Sequence, residues 1–229
     1  MYKLFPIKFW ITLGVWSGIA LASLFSLIEL ELGKDFSPYL RFAVFLPYIL
    51  LIEPVRNYLW KKVPSLNKWI FPDLNGEWDI VVNSNWKILE KLNEAAKTQK
   101  MSLNISQLDP REQTLTVPAR AKITQTWFKF HIMVLAQDES KQTGSSNTLV
   151  CTPRKLDTND FGFKLYYLYE HENVAITSFT DENNFFGACI LTVQGEPWDL
   201  MKGSYFTNRN WQTGMNTAGT ISFSKVIAK

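Results

Sequence analysis

FWITLGVWSGIALASLFSLI, residues Phe9–Ile28, is a run of twenty residues without a charge. A helix rises about 1.5 Å per residue, so such a run spans roughly 30 Å, the hydrocarbon thickness of a bilayer. It predicts a membrane helix and makes the rest of the chain something tethered to a membrane surface. Ala20-Leu21-Ala22 offers a rival reading, a small-residue cleavage site behind a signal-peptide core. The apolar run continues past it to Ile28, which favours the span.

A second apolar stretch follows. Phe42–Ile52 is uncharged over eleven residues, and Phe36–Leu40 extends it to membrane length, with Arg41 inside and Glu53 at its end. Charges near helix ends reach the headgroups along their own side chains. Pro47 would kink this helix, which a membrane tolerates when neighbours satisfy the freed carbonyl. A surface-lying amphipathic helix is the alternative. The spanning reading gives a transmembrane hairpin over residues 1–63, with spans at about 7–29 and 36–58 joined by the turn Glu29–Asp35. Lys3 and Lys8 precede the first apolar run, Arg56, Lys61, Lys62 and Lys68 follow the second, and the turn offers Lys34 with Arg41 just inside. The positive-inside rule then puts both termini in the cytoplasm. Gly14, Ser17 and Gly18 form a small-residue face suited to close helix contact.

At 229 residues the chain has room for the hairpin and one further domain with a real core. Its net charge of +3 is unevenly placed. Residues 1–70 hold eight Lys/Arg against four Asp/Glu, and residues 71–229 hold sixteen against seventeen. The basic excess lies beside the membrane, where anionic lipid is expected. The remainder has no basic balance to suggest binding of duplex nucleic acid. Cys151 and Cys189 lie in apolar, strand-like runs and read as buried free thiols rather than a disulfide.

Residues 64–72 form a juxtamembrane linker, and in and just before it Trp60, Trp69 and Phe71 interleave with Lys61, Lys62 and Lys68, a headgroup-level mixture. Pro72–Gly76 is a turn signal, and a domain over 73–229 begins there. Gly76–Asn83 is the first strand, with Trp78, Ile80 and Val82 on one face. Trp86–Lys97 reads as a short helix with Asn85 as its N-cap. Beyond it the β signal dominates. Met101, Leu103 and Ile105 alternate with polar residues. Strands are expected at Thr114–Gln125, Trp127–Ala136, Thr148–Pro153, Phe163–Glu170, Gly187–Gln194, Leu200–Thr207 and Thr217–Val226. Short polar connections make them mostly antiparallel. The expected fold is therefore an all-β soluble domain, an antiparallel β-barrel of about eight strands resembling a lipocalin, behind a two-helix transmembrane hairpin. A sandwich is the second architecture.

Enzyme chemistry is not signalled. The sequence has two histidines, no Cys/His ligand spacing, no phosphate-binding glycine loop and no nucleophile elbow. No cofactor or metal is expected, and function should be binding. The most unusual segment is Gly203-Ser204-Tyr205-Phe206-Thr207-Asn208-Arg209-Asn210-Trp211. In strand geometry Gly203, Tyr205, Thr207 and Arg209 share one face. An aromatic ring, a hydroxyl and a guanidinium together suit a base and a phosphate. Strand-end packing followed by a turn is the plainer reading.

Several pieces recur in one order. They are the apolar hairpin; Leu74-Asn75-Gly76-Glu77-Trp78 with Ser84-Asn85-Trp86; Ile123-Thr124-Gln125-Thr126-Trp127; and the Ser/Thr-rich turn Ser140–Asn147. Leu165-Tyr166-Tyr167-Leu168-Tyr169, the Gly203–Arg209 segment and Gly219-Thr220-Ile221-Ser222-Phe223 complete the set. In this order the chain resembles the two-transmembrane, β-strand-rich effectors that accompany SMODS nucleotidyltransferases in bacterial cyclic-oligonucleotide anti-phage signalling, known as CBASS. Trp86–Lys97 and Met101–Leu115 are longer than the family's usual connection, which leaves strand numbering there open.

The resemblance implies a bacterial inner-membrane protein whose barrel binds a cyclic di- or oligonucleotide made by a CD-NTase. Copies of the protein then assemble and breach the membrane before phage matures. Weighed against that role, Trp78, Trp127, Tyr167, Tyr169 and Tyr205 are candidate stacking surfaces. Arg209 is the candidate phosphate partner with Thr207 beside it, and Gln125, Ser145 and Ser146 are candidate polar contacts. Each also has a core or turn reading. A membrane-anchored carrier or adaptor, with no membrane-disrupting activity, is the competing function.

Overall fold

The structure, a computed structural model, describes residues 7–33, 48–49, 52–98, 109, 114–136, 144–156, 162–173 and 182–226. The chain forms two compact units. One comprises residues 3–70 with Thr126–Phe128, and the other comprises 71–125 with 129–229.

The first unit is helical. Helix α1 (Ile7–Leu32) contains the apolar run, and Ile11–Glu31 is long and apolar enough to cross a membrane. Its outward side chains are large and apolar: Ile11, Val15, Trp16, Ile19, Leu24 and Leu27 are all exposed. Water would not tolerate such a surface, whereas lipid would. Gly14 is buried, and a Cβ there would collide with the hydroxyl of Tyr48. The small-residue face read from the sequence thus receives a side chain of the same chain. The expected second span falls mostly on 34–47 and 50–51, outside the described residues. Its last part belongs to α2 (Glu53–Lys62), which starts with Pro54 near its N-terminus, a place where the missing amide hydrogen costs nothing. A short α3 (Ser65–Trp69) follows. Trp60 packs edge-on to Trp127 at 5.0 Å, and the Arg56 guanidinium lies 5.2 Å from the Trp60 ring centroid.

The second unit is a closed eight-stranded barrel in which each strand pairs with the next and β8 returns to β1. The strands are β1 (Gly76–Ser84), β2 (Leu115–Gln125), β3 (Phe130–Ala136), β4 (Ser145–Lys155), β5 (Phe163–Glu172), β6 (Asn184–Val193), β7 (Leu200–Thr207) and β8 (Ala218–Lys225). Every pairing is antiparallel. Helix α4 (Trp86–Thr98) follows β1. Its expected cap Asn85 instead uses its side-chain oxygen to accept the Ala218 N–H, and Ser84 Oγ accepts the Trp86 N–H. The expected alternation at 101–105 lies outside the described residues. The strand expected from Trp127 begins at Phe130, because 126–129 form the β2–β3 turn.

Alternation decides what fills the barrel. Trp78, Ile80, Ile123, Phe163, Leu165, Leu191, Met201 and Phe223 are all at most 2 % exposed. At the end where β1 starts, Phe71 adds a plug: its ring lies 5.1 Å from Phe163 and 6.3 Å from Phe130, and Phe163 meets Trp198 at 5.8 Å. Aromatic pairs at such angles contribute beyond their buried area. The segment 73–75 is tied to the end of β2: Leu74 N–H donates to Gln125 Oε1, and Gln125 N–H donates to Asn75 Oδ1. One irregularity interrupts the ladder. The register of β4 against β5 shifts between Thr148 and Val150, leaving Leu149 as an extra residue. On its other side β4 pairs with β3 over only three residues, and Thr148 Oγ1 prolongs the join by accepting Ile132 N–H and donating to Ile132 O.

Cys151 and Cys189 are free and buried, as read from the sequence. Burial holds the Cys151 thiol well above the ordinary thiol range and pushes Cys189 up to about 12. The thiolate is the reactive form, so both thiols are inert near neutrality. In the folded protein at neutral pH, a soluble thiol reagent should modify neither, and in denaturant it should modify both. Modification of either in the folded state would contradict this packing.

Candidate functional site

The plug fills one end of the barrel; the other end holds a cavity of about 400 Å³. It lies where β1, β5 and β7 finish. Val82, Val117, Ala119, Ile132, Val134 and Ile221 give it apolar walls. Its polar and aromatic groups come from six places: Ser84 and Trp86 at and just beyond the end of β1, Ser146 on β4, Tyr167, Tyr169 and His171 on β5, Phe185 on β6, Tyr205, Thr207 and Arg209 at the end of β7, and Thr217 just before β8. Among the described lining residues, Arg209 is the one with a permanent charge, and none is Asp or Glu.

The corner after β7 positions Arg209. Thr207 N–H donates to Thr217 O, Thr217 N–H donates to Thr207 Oγ1, and the two hydroxyls lie 2.7 Å apart. Asn208 clamps β7 to β6 twice, its N–H donating to Phe186 O and its Oδ1 accepting Phe186 N–H at 2.7 Å. Asn210 turns the chain in the left-handed region at φ 48°, which asparagine tolerates. The Arg209 backbone is therefore held by short-range bonds on both sides. Its guanidinium lies 5.0 Å from the Trp86 ring and 5.4 Å from the Phe185 ring, both within cation–π range. Phe185 in turn stacks on His171 at 4.7 Å. The result is a run of flat groups, Trp86, Arg209, Phe185 and His171, along the cavity.

His171 is fixed by its own bonds. Nδ1 lies 2.7 Å from Ser146 Oγ and Nε2 lies 3.1 Å from Asn173 Oδ1, while Asn173 Nδ2 donates to Glu182 O. With that amide orientation, Nε2–H donates to Asn173 and Nδ1 accepts from the serine. Deeper in, Tyr167 and Tyr169 lie 5.8 Å apart. Burial raises both phenols, as it does Tyr205, so all three remain neutral donors near neutral pH. Ser84 lies beside the Tyr205 phenol, and the Cys189 thiol lies beside that of Tyr167.

Six of the ten residues singled out from the sequence meet here: Ser146, Tyr167, Tyr169, Tyr205, Thr207 and Arg209. Thr207 serves mainly the Thr217 corner. The other four lie elsewhere. Trp78 is fully buried in the plug, its Nε1–H donating to Leu74 O with the Lys225 ammonium 5.6 Å over its ring. Gln125 is buried and ties down 73–75. Trp127 packs on Trp60. Ser145 starts β4 opposite Glu172 and Leu135. Sequence reasoning passed over Trp86, Phe185 and His171. Trp86 looked like a helix start, Phe185 lay just before the expected strand, and His171 lay just beyond one.

Gly187 shapes the wall. It pairs with Tyr169 across β5 and β6, and a Cβ there would overlap the phenol's Cζ and Oη. Tyr169 therefore lies flat over a bare backbone. Gly187→Ala should cost about 1–3 kcal/mol through overpacking. The same change in a Tyr169→Ala background should cost almost nothing, because the clashing ring is gone. Urea unfolding of the four variants of this cycle would read the coupling, and additive losses would disprove the contact.

No family model matches the chain. A curated protein, the CD-NTase-associated protein 15 of Escherichia albertii, is 27 % identical over 173 residues, which cover 75 % of this chain and 72 % of that protein.

Proposed function

We propose that the chain belongs to the family of CD-NTase-associated protein 15, to which it is similar, and that it is a CBASS effector whose barrel is a receptor for a cyclic oligonucleotide. The observation that carries this reading is the cavity: a single guanidinium faces a space walled by rings and hydroxyls, with no carboxylate among its described lining residues. Such a space suits an anion bearing flat bases. The guanidinium takes a phosphate, which it can grip through two parallel N–H donors. Trp86, Phe185, Tyr169 and Tyr205 offer surfaces to bases, and base–aromatic stacking is worth about 1–3 kcal/mol per base. Nothing in this chemistry breaks a bond; the reading is one of binding without catalysis.

The output is membrane disruption. Helix α1 supplies one span by length and composition, and residues 36–58 supply the second arm of a hairpin over 1–63. The barrel domain, 73–229, and both termini then face the cytoplasm of a bacterial inner membrane. Ligand binding favours an assembled state of several copies over the resting one, and the gain is limited to the difference in affinity between those states. Opening of the membrane in infected cells stops phage production.

The test is binding of a panel of cyclic di- and trinucleotides to the full chain in detergent, with depolarisation of cells scored alongside. One member should bind saturably, and Arg209→Ala should weaken it by about 10- to 100-fold, the loss expected for a charge-assisted pair. The Arg209→Ala protein should stay folded, losing about 1–2 kcal/mol in urea unfolding with its two cation–π contacts. Failure of every nucleotide, together with extraction of lipid-like molecules by the folded protein, would instead establish a membrane-anchored carrier or adaptor.

A further inference from the structure

Helix α4 is rooted at the mouth of the cavity. Asn85 N–H donates to Ala218 O, and Asn85 Oδ1 accepts the Ala218 N–H at 2.9 Å, so the residue before the helix is clamped to the start of β8. Of the thirteen residues of α4, Trp86 alone lines the cavity. Its indole N–H donates to Glu90 Oε1 at 2.6 Å, one turn along, and its ring lies 5.0 Å from the Arg209 guanidinium. One side chain thus joins the charged centre of the cavity to the helix.

The rest of α4 is amphipathic, and such a helix needs something to cover its apolar side. Ile88, Leu89, Lys91, Leu92 and Ala95 fall on one side and are half-buried, whereas Lys87, Glu90, Asn93 and Glu94 are exposed. No residue of α4 is buried. The apolar side is therefore sheltered but not packed. Its length suits the mouth beside it. Thirteen residues make a helix about 20 Å long. Eight strands roughly 4.8 Å apart and tilted by about 40° make a barrel about 16 Å across. A helix rooted at one edge is long enough to reach the other. The charges fit as well. Among the described cavity residues the permanent cation is Arg209, whereas a cyclic oligonucleotide carries at least two phosphates. Lys91 is the cation on the sheltered side of α4.

We propose that α4 is a lid: with a cyclic oligonucleotide in the cavity its sheltered side closes over the mouth, Leu89 and Leu92 covering the ligand and Lys91 meeting a phosphate that Arg209 does not. The proposal rests on the receptor reading and deepens it by naming what retains the ligand. Closure takes the apolar side out of water, which drives it. Water excluded from the mouth also strengthens the contact between Lys91 and phosphate. These contacts form after entry, so they act on the departure of the ligand and not on its arrival.

The test uses the full chain in detergent with the panel of cyclic di- and trinucleotides. A Leu92→Cys variant is treated with a soluble maleimide; the native thiols are buried and give no background. A saturating nucleotide should slow modification at position 92 by roughly tenfold, as a closed state protects what it covers. A Glu94→Cys variant, on the exposed side, should react at the same rate with and without it. Lys91→Gln should speed nucleotide dissociation about 10-fold, the loss of a charge-assisted contact, with association unchanged. A thiol at 92 that a bound nucleotide does not slow overturns the lid and leaves the receptor reading standing. So does a Lys91→Gln protein that releases the nucleotide at the parent rate. Equal slowing at 92 and 94 would place the whole helix inside an assembly of copies and overturn the lid as well. Binding of no panel member by the parent chain would remove the receptor reading, and the lid with it.

Discussion

A closed eight-stranded barrel leaves every second side chain nowhere to go but inside, and its interior is just wide enough for side chains to fill or for one small ligand to occupy. Everything else in this protein follows from how that interior is shared out. Phe71, Trp78, Phe163, Trp198 and Phe223 are buried together and fill one end. At the other end the same alternation yields Tyr169, Tyr205, Thr207 and His171, and the space stays open. Stability is concentrated in the plug, which frees the far end to carry groups that a pure core would reject.

Arg209 is the clearest example of such a group. A guanidinium on a floppy loop would lose much of its binding energy in being ordered. Here the ordering is done in advance. Thr207, Asn208 and Thr217 fix the corner by backbone bonds, and Trp86 and Phe185 hold the side chain by its charge. His171 is ordered in the same way, since Ser146 and Asn173 hold its ring against Phe185. The site is an array of planes whose spacing is set before anything enters.

Much of this was legible in the sequence, and the reasons differ by residue. The barrel strands show because apolar and polar residues alternate under strong β-formers, as in Leu200–Thr207. The Arg209 corner shows because glycine, tyrosine, threonine and arginine fall two residues apart. Trp78, Trp127 and Gln125 did not resolve. Trp78, inside the barrel, reads the same whether it plugs an end or lines a cavity; Trp127 packs on Trp60, far away in sequence, and Gln125 is committed to backbone groups some fifty residues away. Trp86, Phe185 and His171 were missed because each lies at an element boundary, where pattern is weakest and where the mouth of a barrel is made. Helix α1 was legible from the length of its apolar run alone. Its close contact between Gly14 and Tyr48 depended on a neighbour in space that no periodicity reports.

Leu149, the extra residue in β4, matters more than its exposed position implies. Ser146, which holds His171, and Cys151, buried among the tyrosines, sit five positions apart, an odd number, yet both face the interior. In an uninterrupted strand that is impossible, because odd separations point to opposite faces. The bulge corrects the reading frame of the wall. Deleting this one residue would turn one end of β4 inside out and strip either the histidine of its serine or the core of its thiol. Length changes in this protein are therefore tolerable in its loops and punishing at position 149, although the side chain there touches neither the cavity nor the core.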